Sequence, residues 1–166
     1  QIINIVEEDR ADGRFRLHDT KEIELATGEK IVAEIVGFNH DILAADESKT
    51  AGITFGMKDC LTQAYRMNAT NTNIGGWKES EMRTVHVRGI YDVLPEELKA
   101  GIKQVSKNTS TGNKSTAVET TADDVWLFSL SEMGATGLSA PYSQEGSAYP
   151  AFDSNTSRVK RKGKDG

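Results

Sequence analysis

The chain has 166 residues, 37% of them apolar, and a formal net charge of −5, a length suited to one domain with a sizeable core. Residues 158–166 hold five basic residues and one acid, which leaves about −9 on residues 1–157; so acidic a body excludes nonspecific nucleic-acid binding, which needs a cationic surface. The single cysteine, Cys60, excludes an intrachain disulfide and a Cys-based zinc site, and no apolar run reaches membrane-spanning length, so no membrane insertion is expected.

The chain opens on Gln1, shows no signal-peptide pattern and reads as a piece cut from something longer. Residues 1–18 form a charged lead-in that ends in a short alternating run, Arg14 to His18. Residues 19–133 read as the core of a single domain, and residues 134–166 as an irregular segment.

Within the core, Lys21–Leu25 and Lys30–His40 alternate in period two around Ala26-Thr27-Gly28-Glu29, a hairpin signal. Residues 41–52 read as polar loop, and Ala51–Gly56 as a short strand. A helix is expected from Lys58 or Asp59 to Met67, with Leu61, Ala64, Tyr65 and Cys60 on one face. Cys60 in that setting reads as a core packer.

The Asn- and Thr-rich stretch Met67–Gly76 follows, and a second helix is expected from Trp77 or Lys78 to Val87, with Trp77, Met82, Val85 and His86 as its apolar contributors. Leu94-Pro95-Glu96-Glu97-Leu98 is a sharp helix start, with Pro at the first helical position and acids in the first turn. That helix is expected to reach Val105, with Leu98, Ile102 and Val105 inward. Residues 106–116 read as exposed loop, Ala117–Thr120 as a strand, and Val125–Leu130, the most apolar run, as a central strand. Ser131–Met133 reads as a turn or short helix, and no internal repeat is present.

The polar candidates divide into a hub and a surface. Asn39, His40 and Asp41 end a strand, and a His beside a carboxylate suits a general base or a metal ligand. Without a nucleophile signature, loop-backbone bonding is their more ordinary role. Ser80 and Arg83 join them as hub residues, Arg83 forking onto a carboxylate or carbonyls beneath the Asn loop.

Asn68, Asn71 and Asn73 present amides suited either to a sugar or to irregular backbone. Trp77, Tyr142 and Tyr149 complete the candidate binding set, the tyrosines lying in Gly/Ser-rich loop typical of adaptable surfaces. Trp77 and both tyrosines are equally suited to packing and loop anchoring. Asp41, Asp46, Glu47 and Asp59 offer oxygen ligands for calcium but lack EF-hand spacing, so no metal and no cofactor is expected. Glycosylation sequons at Asn68, Asn108, Asn113 and Asn155 are chance matches in so Asn- and Thr-rich a chain. The basic tail Arg158–Lys164 suits nucleic acid or anionic lipid by charge, but reads better as an exposed loop.

The motifs Gly37-Phe38-Asn39-His40-Asp41, Ala51-Gly52-Ile53-Thr54-Phe55-Gly56, Thr72-Asn73-Ile74-Gly75-Gly76-Trp77, Ser80-Glu81-Met82-Arg83, Leu94-Pro95-Glu96-Glu97-Leu98 and Val125-Trp126-Leu127-Phe128-Ser129 resemble a family of uncharacterised bacterial and prophage domains of gut Firmicutes and their phages. The resemblance covers nearly the whole chain and implies an α+β, C-type-lectin-like architecture with an antiparallel sheet, two to three helices and long loops. It implies a non-enzymatic recognition or structural module of a phage tail, virion or bacterial cell surface. The partners implied are a host-surface glycan or protein and other subunits, with homo-oligomerisation expected. Family members continue beyond Arg158-Val159-Lys160 into further strands, so the domain is expected to be incomplete at its C-terminus. The Glu-Pro-Asn and Trp-Asn-Asp motifs of calcium-dependent sugar binding do not occur. The alternatives are an assembly or decoration domain without a soluble ligand, and a hydrolase using His40 and Asp41.

Overall fold

The first hairpin forms where the alternation places it. In the computed structural model, which describes residues 14–160, β1 (Thr20–Glu24) pairs antiparallel with β2 (Lys30–Phe38). Gly28 turns the chain between them at φ 84°, a conformation that favours glycine. β5 (Ile53–Met57) pairs with the other edge of β2 and completes a three-stranded sheet. Ile35 stands opposite Phe55 and Gly37 opposite Thr54, so Val36 is an extra, bulged residue. The bulge releases the Val36 carbonyl to accept the Ala151 amide at 3.2 Å, and its side chain is fully buried.

A second, four-stranded antiparallel sheet runs β4-β3-β6-β7. Its strands are β3 (Ile42–Leu43), β4 (Asp46–Thr50), β6 (Val105–Ser110) and β7 (Val118–Asp123). Two segments expected to be loop, 41–52 and 106–116, therefore contribute strands. Their polar sequences hide the pattern because the inward side of β6 carries Val105 and Lys107, a charged residue in a core position.

The expected helix at 58–67 does not form; the segment is irregular, with Ala64, Tyr65 and Cys60 exposed and Leu61 half-buried. Cys60 is thus a surface residue and not a core packer. The second helix begins later than expected, as a π-helical stretch Met82–Val87 that continues into α1 (Arg88–Asp92). Met82 and Val87 face inward, whereas Val85 is 57% exposed. α2 is only Glu96–Lys99, because Val105 is drawn into β6. Val125–Leu130 is irregular rather than a strand, and Leu127 and Leu130 point outward.

Two apolar clusters form the core. One joins Leu25, Ile31 and Leu94 to Tyr91, Leu98 and Ile102 between the hairpin and the short helices. The other joins Val36 to Tyr149, Ala151 and Phe152, with Trp126, Phe128 and Met133 against them. The segment after Gly134 is irregular apart from a 3-10 turn, Tyr142–Gln144, yet it supplies Tyr149, Ala151 and Phe152, three of the four buried residues of that second cluster. The architecture is α+β, dominated by antiparallel sheet. Most of the charged lead-in and of the basic tail lies outside the described residues. Within the tail, Arg158 donates to the Met133, Gly134 and Phe152 carbonyls and clamps the irregular segment, and Lys160 approaches Glu34 at 3.4 Å.

Candidate functional site

The densest group of ionisable side chains surrounds Lys107, which β6 points into the core. Its Nζ donates to Asp41 Oδ1 at 2.9 Å and to Glu132 Oε1, and lies 3.2 Å from the Tyr149 hydroxyl. Tyr149 donates to Asp41 Oδ1 at 2.7 Å, and Thr54 donates to Asp41 Oδ2 at 2.5 Å. Glu132 Oε2 accepts the Ser129 amide at 2.9 Å. The Lys107 side chain is 8% exposed, Asp41 3% and Glu132 2%, so the cluster is closed to bulk water.

Aromatic rings wall it in. Lys107 Nζ sits 4.6 Å from the Trp126 ring centre, and His40 packs on Tyr149 with centroids 4.2 Å apart. The Trp126 indole N–H is buried without a hydrogen-bond partner. Burial, then the charges of Glu132 and Asp41, push the Tyr149 hydroxyl far above its ordinary value, so it stays a neutral donor. Burial pushes the Asp41 carboxyl upward, but the Lys107 charge and the bonds from Thr54, Tyr149 and Lys107 outweigh it and hold the carboxyl below its ordinary value.

Because the Asp41 carboxyl is depressed in the fold, its stabilising contribution is present above about pH 4 and is lost as pH falls through the folded value. Glu145 behaves oppositely: burial raises its carboxyl, so its contribution is present below the ordinary carboxylate range and lost as pH rises through the raised value. Urea unfolding as a function of pH should therefore show stability falling below about pH 4, with a shallower fall in Asp41→Asn.

A second polar hub lies beneath the Asn-rich loop. Asp123, at the end of β7, accepts from Arg83 Nε at 2.7 Å, from the Trp77 indole at 3.0 Å and from Thr121 at 2.6 Å. Arg83 extends its fork to the Ala122 carbonyl at 3.2 Å and the Lys78 carbonyl at 3.4 Å. Ser80, 1% exposed, accepts the Arg83 amide and donates to the Trp77 carbonyl. Trp77→Phe keeps an aromatic ring but removes the indole N–H and leaves Asp123 short of one donor, and is expected to cost about 1–2 kcal/mol or more in chemical denaturation.

Gly76 and Gly112 let two loops meet backbone to backbone. The Asn113 amide donates to Asn73 Oδ1 at 3.2 Å, and Ser110, at the end of β6, donates its amide to Glu145 Oε1 at 2.7 Å. The β6–β7 connection is thus bonded both to the Asn-rich loop and to the turn that carries Tyr142.

The sequence-selected residues separate accordingly. Asn71 and Asn73 are exposed, and Tyr142 is 48% exposed. Asn68 is half-buried and spends its amide on the Thr72 carbonyl and the Glu81 amide. Trp77 is committed to Asp123. Tyr149 is 1% exposed and belongs to the core rather than to a surface, because its ring fills the space beside Gly37 and its hydroxyl completes the Lys107 cluster. Asn39 takes a turn conformation at φ 48°, and half-buried His40 meets the Ser147 carbonyl at 3.2 Å.

Lys107, Glu132 and Asp123 escape the sequence reading. Their signal is faint: none stands in a recognisable motif, and only the topology brings them to their partners. Among the described residues no group of three or more His, Cys, Asp or Glu side chains is placed to hold a metal. Asp41 is taken by Lys107, and Asp46 accepts from Ser48 and Lys49, which lower its carboxyl to about 2.

Two shallow clefts, of about 230 and 240 Å³, are smaller than the roughly 300–1,000 Å³ usual for small-molecule sites. Neither is lined by a member of the Lys107 cluster. Among the described residues no helix is long and apolar enough to cross a membrane.

No curated protein and no solved structure matches the chain. The model of a family described as a domain of unknown function, DUF6273, matches residues 51–165, from just before β5 to the basic tail, a span that holds Lys107, Glu132, Tyr149 and the Asp123 hub but not Asp41. With well over half of its length matched, the chain belongs to the DUF6273 family.

Proposed function

We propose that the domain is a non-enzymatic recognition module, C-type-lectin-like in architecture, carried by a phage tail, virion or bacterial surface protein. It engages a host-surface glycan or protein through loops at one end of the fold. The observation that carries this reading is the closure of the Lys107 cluster: the groups best suited to chemistry are buried and bonded to one another. Asp41, 5% exposed and bonded to Thr54, Tyr149 and Lys107, offers a hydrolase no open carboxylate.

Exposed amides and an exposed tyrosine gather instead around the β6–β7 connection. Asn73 accepts the Asn113 amide there, with exposed Asn71 two residues before it in sequence, and the Tyr142 turn is bonded to the end of β6 through Glu145. Amides that hydrogen-bond hydroxyls and a ring that stacks on an apolar sugar face are the usual elements of glycan contact. A glycan array together with binding to host cells tests the reading. Asn71→Ala and Tyr142→Ala should each weaken binding at least tenfold while leaving the unfolding midpoint unchanged. Loss of stability in parallel with binding, or no binding to any glycan or cell, counts against it.

A second reading, an assembly or decoration domain, draws support from apolar exposure. Ile74 is 66% exposed in the same Asn-rich loop, and Leu127 and Leu130 are 49% and 55% exposed. It predicts a homo-oligomer in sedimentation that Ile74→Asp dissociates, with no soluble ligand.

A further inference from the structure

We propose that Lys107 and Glu132 condense into an internal amide cross-link, Nζ to Cδ, with Asp41 relaying the protons. Three observations point to it. The amine and the carboxyl are already in contact, on segments 25 residues apart in sequence, so the reaction needs no encounter step. The side chains are nearly water-free, at 8% and 2% exposure, and two aromatic rings stand within 5.6 Å of Nζ. Burying an ion pair here carries a desolvation cost that an amide does not. Two further groups are in place as well. Asp41 touches the same Nζ, and the Ser129 amide points at Glu132 Oε2, the oxygen on which negative charge develops.

The balance is simple. One proton passes from the Lys107 ammonium to Glu132 Oε1 along their existing contact, leaving a neutral amine and a carboxylic acid. The amine attacks Cδ, and the tetrahedral oxygen Oε2 is held by the Ser129 N–H. Asp41 takes the surplus proton from the now cationic nitrogen and passes it to the Oε1 hydroxyl, which leaves as water as the Cδ–Oε2 carbonyl re-forms. An ammonium and a carboxylate become one amide and one water, with no oxidant or co-reactant. Asp41 ends as it began, a carboxylate held by Thr54 and Tyr149. The product ties β6 covalently to the turn that precedes the irregular segment.

Denaturing mass spectrometry of the intact chain, followed by tryptic mapping, reads the outcome. The expected result is a chain lighter than its sequence by one water, with no cleavage after Lys107 and a branched peptide joining Lys107 to Glu132. Lys107→Arg should return to the full sequence mass. Asp41→Asn should stay at full mass over the time in which the parent chain cross-links. A parent chain of full mass overturns the proposal. So does a water loss mapped instead to Asp12-Gly13 or Asp165-Gly166, where succinimide formation gives the same mass change.

Discussion

Lys107→Met should destabilise the domain by about 3–5 kcal/mol or more, read as a lower midpoint in chemical denaturation. Among the described residues the lysine is the only cation bonded to Asp41 and Glu132, and both carboxylates are buried. Without it, Asp41 keeps Thr54 and Tyr149 as donors, and Glu132 keeps the Ser129 amide. Neither set supplies a positive charge. The size of the loss comes from stranded charge rather than from lost contact. Two corollaries follow from that cause. The loss should shrink as pH falls through the carboxylate range, because protonation removes the uncompensated charges. A triple variant, Lys107→Met with Asp41→Asn and Glu132→Gln, should recover more than half of it. A triple variant as unstable as Lys107→Met would mean that packing or the lost tie between Lys107 and Glu132, not charge, is the cause.

Gly76→Ala should be nearly as damaging, costing about 3 kcal/mol or more. Gly76 has φ 55°, and an added Cβ would lie 1.8 Å from the Ser110 carbonyl oxygen. That neighbour is backbone and cannot swing aside. Gly112 repeats the arrangement from the other loop, its Cβ falling 1.7 Å from the Asn73 carbonyl oxygen. Gly28→Ala is the control: φ is 84°, but nothing lies within 4 Å, so only the backbone penalty of about 1 kcal/mol is expected. Equal losses at Gly76 and Gly28 would show that the loops can separate freely.

What could be read from the sequence follows from how local each signal is. The β1–β2 hairpin is legible because alternation and a Gly turn lie within one short stretch. The Gly pair and the hub residues Ser80 and Arg83 were visible as a polar turn before a helix, although their partner Asp123 was not. β6 was hidden because Ser106-Lys107-Asn108-Thr109-Ser110 has the composition of a loop. Its inward lysine makes sense only once Asp41, Glu132 and Tyr149 arrive from distant parts of the chain. Val125–Leu130 misleads in the opposite direction: Trp126 and Phe128 pack against the second core cluster, but among the described residues no strand pairs with the run. Tyr149, in a Gly/Ser-rich setting, has the composition of a surface loop while serving as the largest fully buried side chain among the described residues.

That last placement changes what irregular structure means in this domain. The Tyr149 amide is donated to the Glu132 carbonyl and the Ala151 amide to Val36. Neither bond can open without withdrawing Tyr149 and Phe152 from the core. These two amides should therefore exchange with solvent only through global unfolding, as slowly as those of β2, whereas the Tyr142 turn a few residues earlier exchanges by local opening. Kinetically, a segment without a strand or an α-helix behaves as part of the folding unit's centre.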